Sequence, residues 1–309
     1  MADPIYLGVE GGGSKSRAIV EWRGQVSAKI QWDGLNPHDL GLREFEARLR
    51  SLVGPLVGPL VSRPKTRPIP IYAYFALAGA GKPALRRACR KAIARVLSRY
   101  ATRRSIRVAT DVAALGERYL RNRQGIVLIA GTGSICVAVG RSRGRRHSVR
   151  VGGKGGSLDK GSGYAIGSRL VEHLLSLPQR SPRTKRYGVS VAALRAVAAC
   201  GCRSRVASLA PLVLAGYRRG DRFAQSVAEE AVSDLVRMVV SAAERAGIPE
   251  RSTIYLAGGL FMNVDFEKLF RLRLRRVLPG LSPRLAVGEL SALLALAKQL
   301  VRPTGASLR

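Results

Sequence analysis

Acidic residues are scarce in this chain: 20 Asp and Glu face 53 Lys and Arg in 309 residues, a formal net charge of +33. Such an excess invites a nucleic-acid surface. Aromatic residues, however, make up only 6% and do not alternate with the basic clusters at Arg86–Arg107, Arg141–Arg150, Arg180–Arg186 and Arg271–Arg276. No helix-turn-helix, zinc-finger or RNA-binding pattern is present. The charge therefore speaks to solubility and non-specific association, and no specific nucleic-acid partner is expected. Cysteines are few as well. Cys89, Cys136, Cys200 and Cys202 are too irregular for a disulfide framework, and Cys200-Gly201-Cys202 lacks the spacer and second pair of a zinc or iron–sulfur site. His38, His147 and His173 have no companion ligands in the sequence. No uncharged apolar run reaches membrane-spanning length, and Met1-Ala2-Asp3-Pro4 runs straight into strand-like sequence. Neither a membrane anchor nor a signal peptide is expected, and the cytoplasm is the expected location.

What is present is a substantial apolar fraction, 46%, in a chain whose length suggests two domains. Two glycine-rich turns stand out within it. The first is Gly8-Val9-Glu10-Gly11-Gly12-Gly13-Ser14-Lys15-Ser16, the second Gly131-Thr132-Gly133-Ser134. Each follows an apolar run that reads as a strand, Ile5–Val9 and Ile126–Ala130, and each leads into another β-like run, not a helix. That is strand-turn-strand, unlike the strand-turn-helix of a P-loop. Glycines let backbone N–H groups converge on an anion, and Ser14, Thr132 and Ser134 add hydroxyl donors, so the pair suits a polyphosphate. With Glu10 in the first motif and Asp111 upstream of the second, the pattern points to phosphoryl transfer.

Residues 5 to 32 read as three strands, Ile5–Val9, Arg17–Trp22 and Gln25–Gln31, with Arg23-Gly24 as a tight turn. Val53 to Val61 is a short tandem duplication, and Arg63–Pro70 reads as an exposed connector. Ile71–Leu77 has the continuous apolar character of a buried strand, Pro83–Tyr100 the spacing of a helix, and Ile106–Ala109 that of a short strand. Ile135–Val139 completes the second hairpin, and a glycine-rich loop follows, Gly152–Gly163. The helices expected beyond it are Tyr164–Leu177, Val189–Ala199, Val206–Tyr217 and Arg222–Ala246. Ile254–Ala257 reads as a strand running into Gly258-Gly259 and a helix, and Ala286–Leu300 as a closing helix. Two halves that open alike imply a duplicated α/β architecture.

These residues resemble the eukaryotic-type N-acetylglucosamine kinases and the related BadF/BadG/BcrA/BcrD ATPase-like sugar kinases of the actin, hexokinase and heat-shock ATPase superfamily. Five segments carry the resemblance in the family's order: Tyr6–Ser16 as the first phosphate motif, Thr110-Asp111-Val112-Ala113-Ala114, Ile129–Ser134 as the second phosphate motif, Asp159-Lys160-Gly161-Ser162-Gly163-Tyr164, and Leu256-Ala257-Gly258-Gly259 as the adenosine motif. The resemblance implies a two-lobed, ribonuclease H-like actin/hexokinase fold with duplicated mixed sheets and an ATP and sugar cleft between lobes. It divides the chain into residues 1–118, completed by a C-terminal helix at about 288–309, and residues 119–287. It implies ATP and Mg²⁺ as cofactors, a sugar as small-molecule partner, and a homodimer.

The roles it implies follow the chemistry of phosphoryl transfer, which needs charge neutralisation, an in-line nucleophile and a proton acceptor. Asp111 takes the proton from a sugar hydroxyl. Glu10 holds Mg²⁺ through water. Gly12, Gly13, Ser14, Lys15, Thr132, Gly133, Gly258 and Gly259 bind the nucleotide, and Asn36, Asp111, Gly133, Ser134 and Asp159 bind the sugar. Each has a plainer reading: Asp111 as a helix N-cap, Asn36-Pro37 as a turn, Gly258-Gly259 as punctuation, Glu10 as a solvated charge, Lys15 as a surface cation. Two departures bear on the sugar. The family's Gly-Trp-Gly is here Gly153-Lys154-Gly155, and Lys160 stands where the family has glutamate. N-acetylglucosamine phosphorylated at the 6-position heads the acceptors, with glucosamine, glucose or another hexose beside it. Two alternatives remain, an ATPase that activates a radical dehydratase and a non-catalytic sugar-binding regulator.

Overall fold

The computed structural model describes residues 3–31, 33–61, 69–101, 104–177, 186–286 and 290–301. The chain forms two compact units, Met1–Arg118 with Gly288–Arg309, and Tyr119–Val287. Most of the connector expected at Arg63–Pro70, most of the basic cluster at Arg180–Arg186 and the end of the chain lie outside the described residues.

In the first unit, β1 (Ile5–Gly11), β2 (Ser16–Trp22) and β3 (Gln25–Gln31) form an antiparallel meander, and β4 (Ile71–Leu77) and β5 (Arg104–Ala109) extend it in parallel to β1. The sheet order is β3-β2-β1-β4-β5. Alternation along β1 and β4 aims Ile5, Leu7, Val9, Ile71, Ala73 and Phe75 at one face. Phe45, Leu49 and Val57 of the helical segment Pro37–Val61 and Cys89, Ile93 and Val96 of helix Pro83–Leu97 cover them. Each such fully buried Leu, Ile or Phe contributes about 1.5–3 kcal/mol. The other face, with Tyr74, Ala76 and Ala109, packs on Leu293, Leu296 and Ala297 of helix Leu290–Lys298. Gly8 makes that approach tight, since a Cβ there would stand 2.6 Å from the Leu293 Cβ.

The second unit repeats the plan. β6 (Gly125–Ala130), β7 (Ser134–Ser142) and β8 (Arg145–Gly152) form the meander, and β9 (Thr253–Ala257) and β10 (Ser282–Leu285) run parallel to β6, in the order β10-β9-β6-β7-β8. Helix Arg222–Ala246 supplies Val227, Ala231, Leu235, Val239 and Ala242 to the core of this unit. Asp221 caps it by accepting the Ala224 N–H at 3.0 Å, and Gly247 ends it with φ 57°.

Several elements differ from the sequence reading, among them β10, which it did not contain. β8 occupies part of the arginine cluster, where charge hid a strand. The segment Pro37–Val61 is helical, broken at Gly41 (φ 70°, ψ 165°) and carrying the tandem duplication. Pro55 and Pro59 are tolerated because they recur on one exposed face, while Val53 and Val57 are buried. The helix expected over Val206–Tyr217 is two, Arg203–Ala207 and Ala210–Arg218, because Pro211 has no N–H to continue the ladder.

Candidate functional site

In the first unit the carboxyl ends of β1, β4 and β5 share one edge of the sheet: Gly11 lies beside Leu77, and Ala76 beside Ala109. The turn Gly12–Lys15 closes there through Gly12 N–H to Lys15 O at 3.0 Å. Two backbone bonds pin it from outside, Leu35 N–H to Gly12 O at 3.0 Å and Ala78 N–H to Gly11 O at 2.8 Å. Gly34 packs on the Gly13 carbonyl, which a Cβ at residue 34 would overlap. The buried Ser16 hydroxyl donates to Asp33 O at 2.9 Å. The glycines are thus held by the segment Asp33–Asn36 and by the turn after β4, while Ser14 and Lys15 are exposed.

Asn36 is buried and starts the helical segment. Its Oδ1 accepts the His38 N–H at 3.0 Å, its Nδ2 donates to Asp39 Oδ2 at 2.8 Å, and Pro37 follows at the first helical position. Gly79, at φ 79°, accommodates this amide, since any side chain there would overlap Asn36 Oδ1. Glu10 pairs with Arg17 directly across the β1–β2 ladder. It is half-buried and bound, not a solvated charge.

Asp111 opens helix Asp111–Tyr119, but it does not cap it. Thr110 does: its Oγ1 accepts the Ala113 N–H at 3.2 Å, and its carbonyl accepts from Ala114 at 2.9 Å. Asp111 Oδ1 accepts the adjacent Val112 N–H at 2.8 Å, at a helix start where negative charge is favoured. The far end of this short helix is fastened to the sheet. The buried Tyr74 hydroxyl donates to Glu117 Oε2 at 2.9 Å, and Arg107 pairs with Glu117 Oε1. Burial, with the adjacent Glu117 charge, pushes the Tyr74 phenol well above its usual range. The bond to Glu117 raises Arg107.

In the second unit Ile129 of β6 lies beside Ala257 of β9, so the second glycine turn, Gly131–Ser134, and Gly258-Gly259 share an edge. Gly258 has φ 100°, and a Cβ there would overlap the Ala130 carbonyl. The turn is braced by Gly131 N–H to Gly133 O at 2.9 Å, Gly163 N–H to Gly131 O at 2.7 Å and Tyr164 N–H to Thr132 O at 3.2 Å. The buried Ser134 hydroxyl donates to Lys160 O at 2.7 Å. Asp159 is 4% exposed. Its Oδ1 accepts the Lys154 and Gly155 N–H groups at 2.8 and 3.0 Å, and its Oδ2 lies 2.6 Å from where a Cβ on Gly133 would stand.

Glu10, Gly12, Gly13, Ser14, Lys15, Asn36 and Asp111 therefore gather along one sheet edge of the first unit. Thr132, Gly133, Ser134, Asp159, Gly258 and Gly259 gather along the matching edge of the second. Sequence reasoning missed the supports: Thr110, Ser16, Gly79, and Arg17 as the partner of Glu10. Thr110 was legible in principle, as a capping residue just before a helix. Among the described residues no cluster of three or more His, Cys, Asp or Glu could hold a metal ion, and no helix is long and apolar enough to cross a membrane.

Comparison with known proteins bears on the family and the fold. The model of the BadF/BadG/BcrA/BcrD ATPase family matches residues 7–276. An N-acetylmuramic acid/N-acetylglucosamine kinase of Clostridium acetobutylicum is 30% identical over 160 residues, 48% of this chain and 51% of that protein. The chain thus spans about half the length of the curated relative it matches. Among solved structures, a provisionally assigned N-acetylglucosamine kinase of Porphyromonas gingivalis aligns over 94% of this chain and 98% of its own, with TM-score 0.72 and 20% identity. A glucokinase of the ROK family from Streptomyces griseus, solved with glucose and AMPPNP, aligns over 96% and 98%, with TM-score 0.58 and 16% identity. At these identities the likeness is one of fold, a duplicated α/β fold with two mixed five-stranded sheets. The breadth of the family match, with the order of the motifs on the two sheet edges, settles the lineage: this chain belongs to the BadF/BadG/BcrA/BcrD ATPase family.

Proposed function

We propose that this protein is an ATP-dependent sugar kinase, which transfers the γ-phosphoryl group of ATP to a sugar hydroxyl, with N-acetylglucosamine or a related hexose or amino sugar giving the 6-phosphate. The observation that carries this is the paired edge. Both sheets end β1 and β6 in a braced glycine turn, and the first adds a carboxylate, Asp111, whose helix is capped by another residue.

In the proposed reaction the sugar oxygen attacks the γ-phosphorus, the bond from that phosphorus to the bridging oxygen of ADP breaks, and the hydroxyl proton passes to the Asp111 carboxylate. The nucleotide-binding roles go to Gly12, Gly13, Ser14 and Lys15 of the first unit and Thr132, Gly133, Gly258 and Gly259 of the second. Gly12 N–H is committed to Lys15 O within its turn, so phosphate donors come from the rest of that set. Asn36, Asp111, Gly133, Ser134 and Asp159 are the proposed sugar contacts. The residues fit Mg²⁺ as this chemistry uses it. A single carboxylate, Glu10, stands at the end of β1, and an ion that keeps most of its waters and binds substrate phosphates needs no protein cage. Mg²⁺ there supplies neutralisation of phosphate charge, while Arg17 keeps Glu10 oriented.

A coupled ADP-release assay over a panel of hexoses, amino sugars and N-acetylated sugars tests the proposal. ADP release that depends on one of these sugars is expected. Release that is the same with and without every sugar overturns it.

A further inference from the structure

The loop that wraps Asp159 is strongly cationic. Its backbone is fixed by Asp159 Oδ1, which takes the Lys154 and Gly155 N–H groups, and by the Ser134 hydroxyl, which holds Lys160 O. The side chains of Lys154 and Lys160 are left exposed, and neither forms an ion pair among the described residues. A third cation arrives from another element. Arg203, the first residue of helix Arg203–Ala207, lays its guanidinium over Gly155, with Nη1 2.6 Å from where a Cβ would stand. Arg150 is the fourth, and it donates to Gly153 O at 2.6 Å and Gly152 O at 3.3 Å. Four cations thus stand on or against the loop that Asp159 holds, and one oxygen of that carboxylate is already taken by backbone donors.

The general arginine richness of the chain does not account for this cluster. Between Lys91 and Lys185 every basic residue other than Lys154 and Lys160 is arginine, so the two lysines run against the prevailing bias and sit six residues apart on this one loop. A lysine is a compact point charge on a flexible stem, suited to reaching an anion from a fixed backbone. Asp159 Oδ2, meanwhile, faces the Gly133 turn, where the acceptor is proposed to lie.

We infer that the acceptor sugar carries an anionic substituent, a carboxylate or a phosphate ester, and that Lys154, Lys160 and Arg203 recognise it. The inference rests on the sugar-kinase reading and narrows its substrate class. The cations favour such an acceptor by direct attraction at partly exposed sites, an effect of roughly tenfold in affinity for a closely held pair of charges.

Matched acceptors test it: N-acetylglucosamine, N-acetylmuramic acid, which adds a lactyl carboxylate to the same ring, and N-acetylglucosamine 1-phosphate. All keep a free 6-hydroxyl. The wild type is expected to favour one of the anionic sugars over N-acetylglucosamine in kcat/KM by about tenfold or more. The side on which the preference falls identifies carboxylate or phosphate. Replacing both lysines (Lys154→Gln with Lys160→Gln) should reduce that ratio about tenfold, and Arg203→Gln several-fold, with thermal unfolding confirming that each variant is folded. Equal or better turnover of the neutral sugar, or a ratio unchanged within about twofold in the variants, overturns the inference and leaves the kinase reading standing. ADP release with none of the three and with no other sugar removes both.

Discussion

Asp159 and Gly133 are built against each other: the carboxylate Oδ2 lies 2.6 Å from the position of any Cβ at residue 133. The second glycine turn and the cationic loop are therefore one unit of structure, and glycine is required for space at a position whose φ does not itself demand it.

Gly133→Ala should displace Asp159 and with it the loop Lys154–Gly155. We expect a loss of kcat/KM of at least about tenfold and a fall in stability of about 1–3 kcal/mol. Steady-state kinetics and denaturant unfolding check it. Kinetics like the wild type would show that the loop yields without consequence.

Thr110 and Asp111 should separate in unfolding experiments. Thr110→Ala removes the cap of helix Asp111–Tyr119 and should cost about 1 kcal/mol. Asp111→Asn, which touches no cap bond to Ala113, should cost less than half of that. The reverse order would return the cap to Asp111.

Asp221 links the long helix to pH. Burial pushes its carboxyl up, but the Ala224 N–H and the Tyr187 hydroxyl outweigh it and hold the group below the usual carboxylate range. A folded-state value below the unfolded one, about 3.9, gives stability that is fully present above that unfolded value and lost as pH falls through the folded one. Melting temperatures followed from pH 6 down to about 3 should fall more gently in Asp221→Asn, which still caps, than in the wild type.

The four thiols should divide into two classes. Cys89 and Cys136 are buried, and burial pushes Cys89 up to about 11. Cys200 is exposed and Cys202 partly so. The Ser204 hydroxyl, then the Arg205 N–H, lowers Cys202 from the ordinary thiol range. Titration with a chromogenic disulfide at neutral pH should therefore count two thiols in the native protein and four after unfolding, with Cys202 the faster of the pair.

Much of this was legible in the sequence because the signals were local. Ile71–Leu77 and Gln25–Gln31 fall as strands where apolar runs and the Arg23-Gly24 turn place them, and Arg222–Ala246 falls where its cap and terminal glycine place it. β8 escaped because three of its four exposed positions are arginine. Yet Arg143-Gly144, with φ 50° and 76°, repeats the Arg23-Gly24 turn, with φ 52° and 78°, at the same place in the meander, and Val149 and Val151 alternate after it. That echo was the available signal. The site was legible as motifs and not as geometry. Nothing local reveals that Gly79 makes room for Asn36, or that Tyr74 and Arg107 fasten the helix of Asp111 through Glu117, since those partners meet only when separate strands are brought together.

Sugar-dependent ADP release by wild type and Asp111→Asn, measured side by side with the preferred acceptor, tests the central claim most directly. The substitution keeps size and most hydrogen bonding but removes the proton acceptor, so turnover should fall roughly 10²–10⁴-fold while ATP affinity changes little. Turnover within about threefold of wild type, in a variant that still binds ATP, would contradict the account, since a lost base should cost about a hundredfold or more.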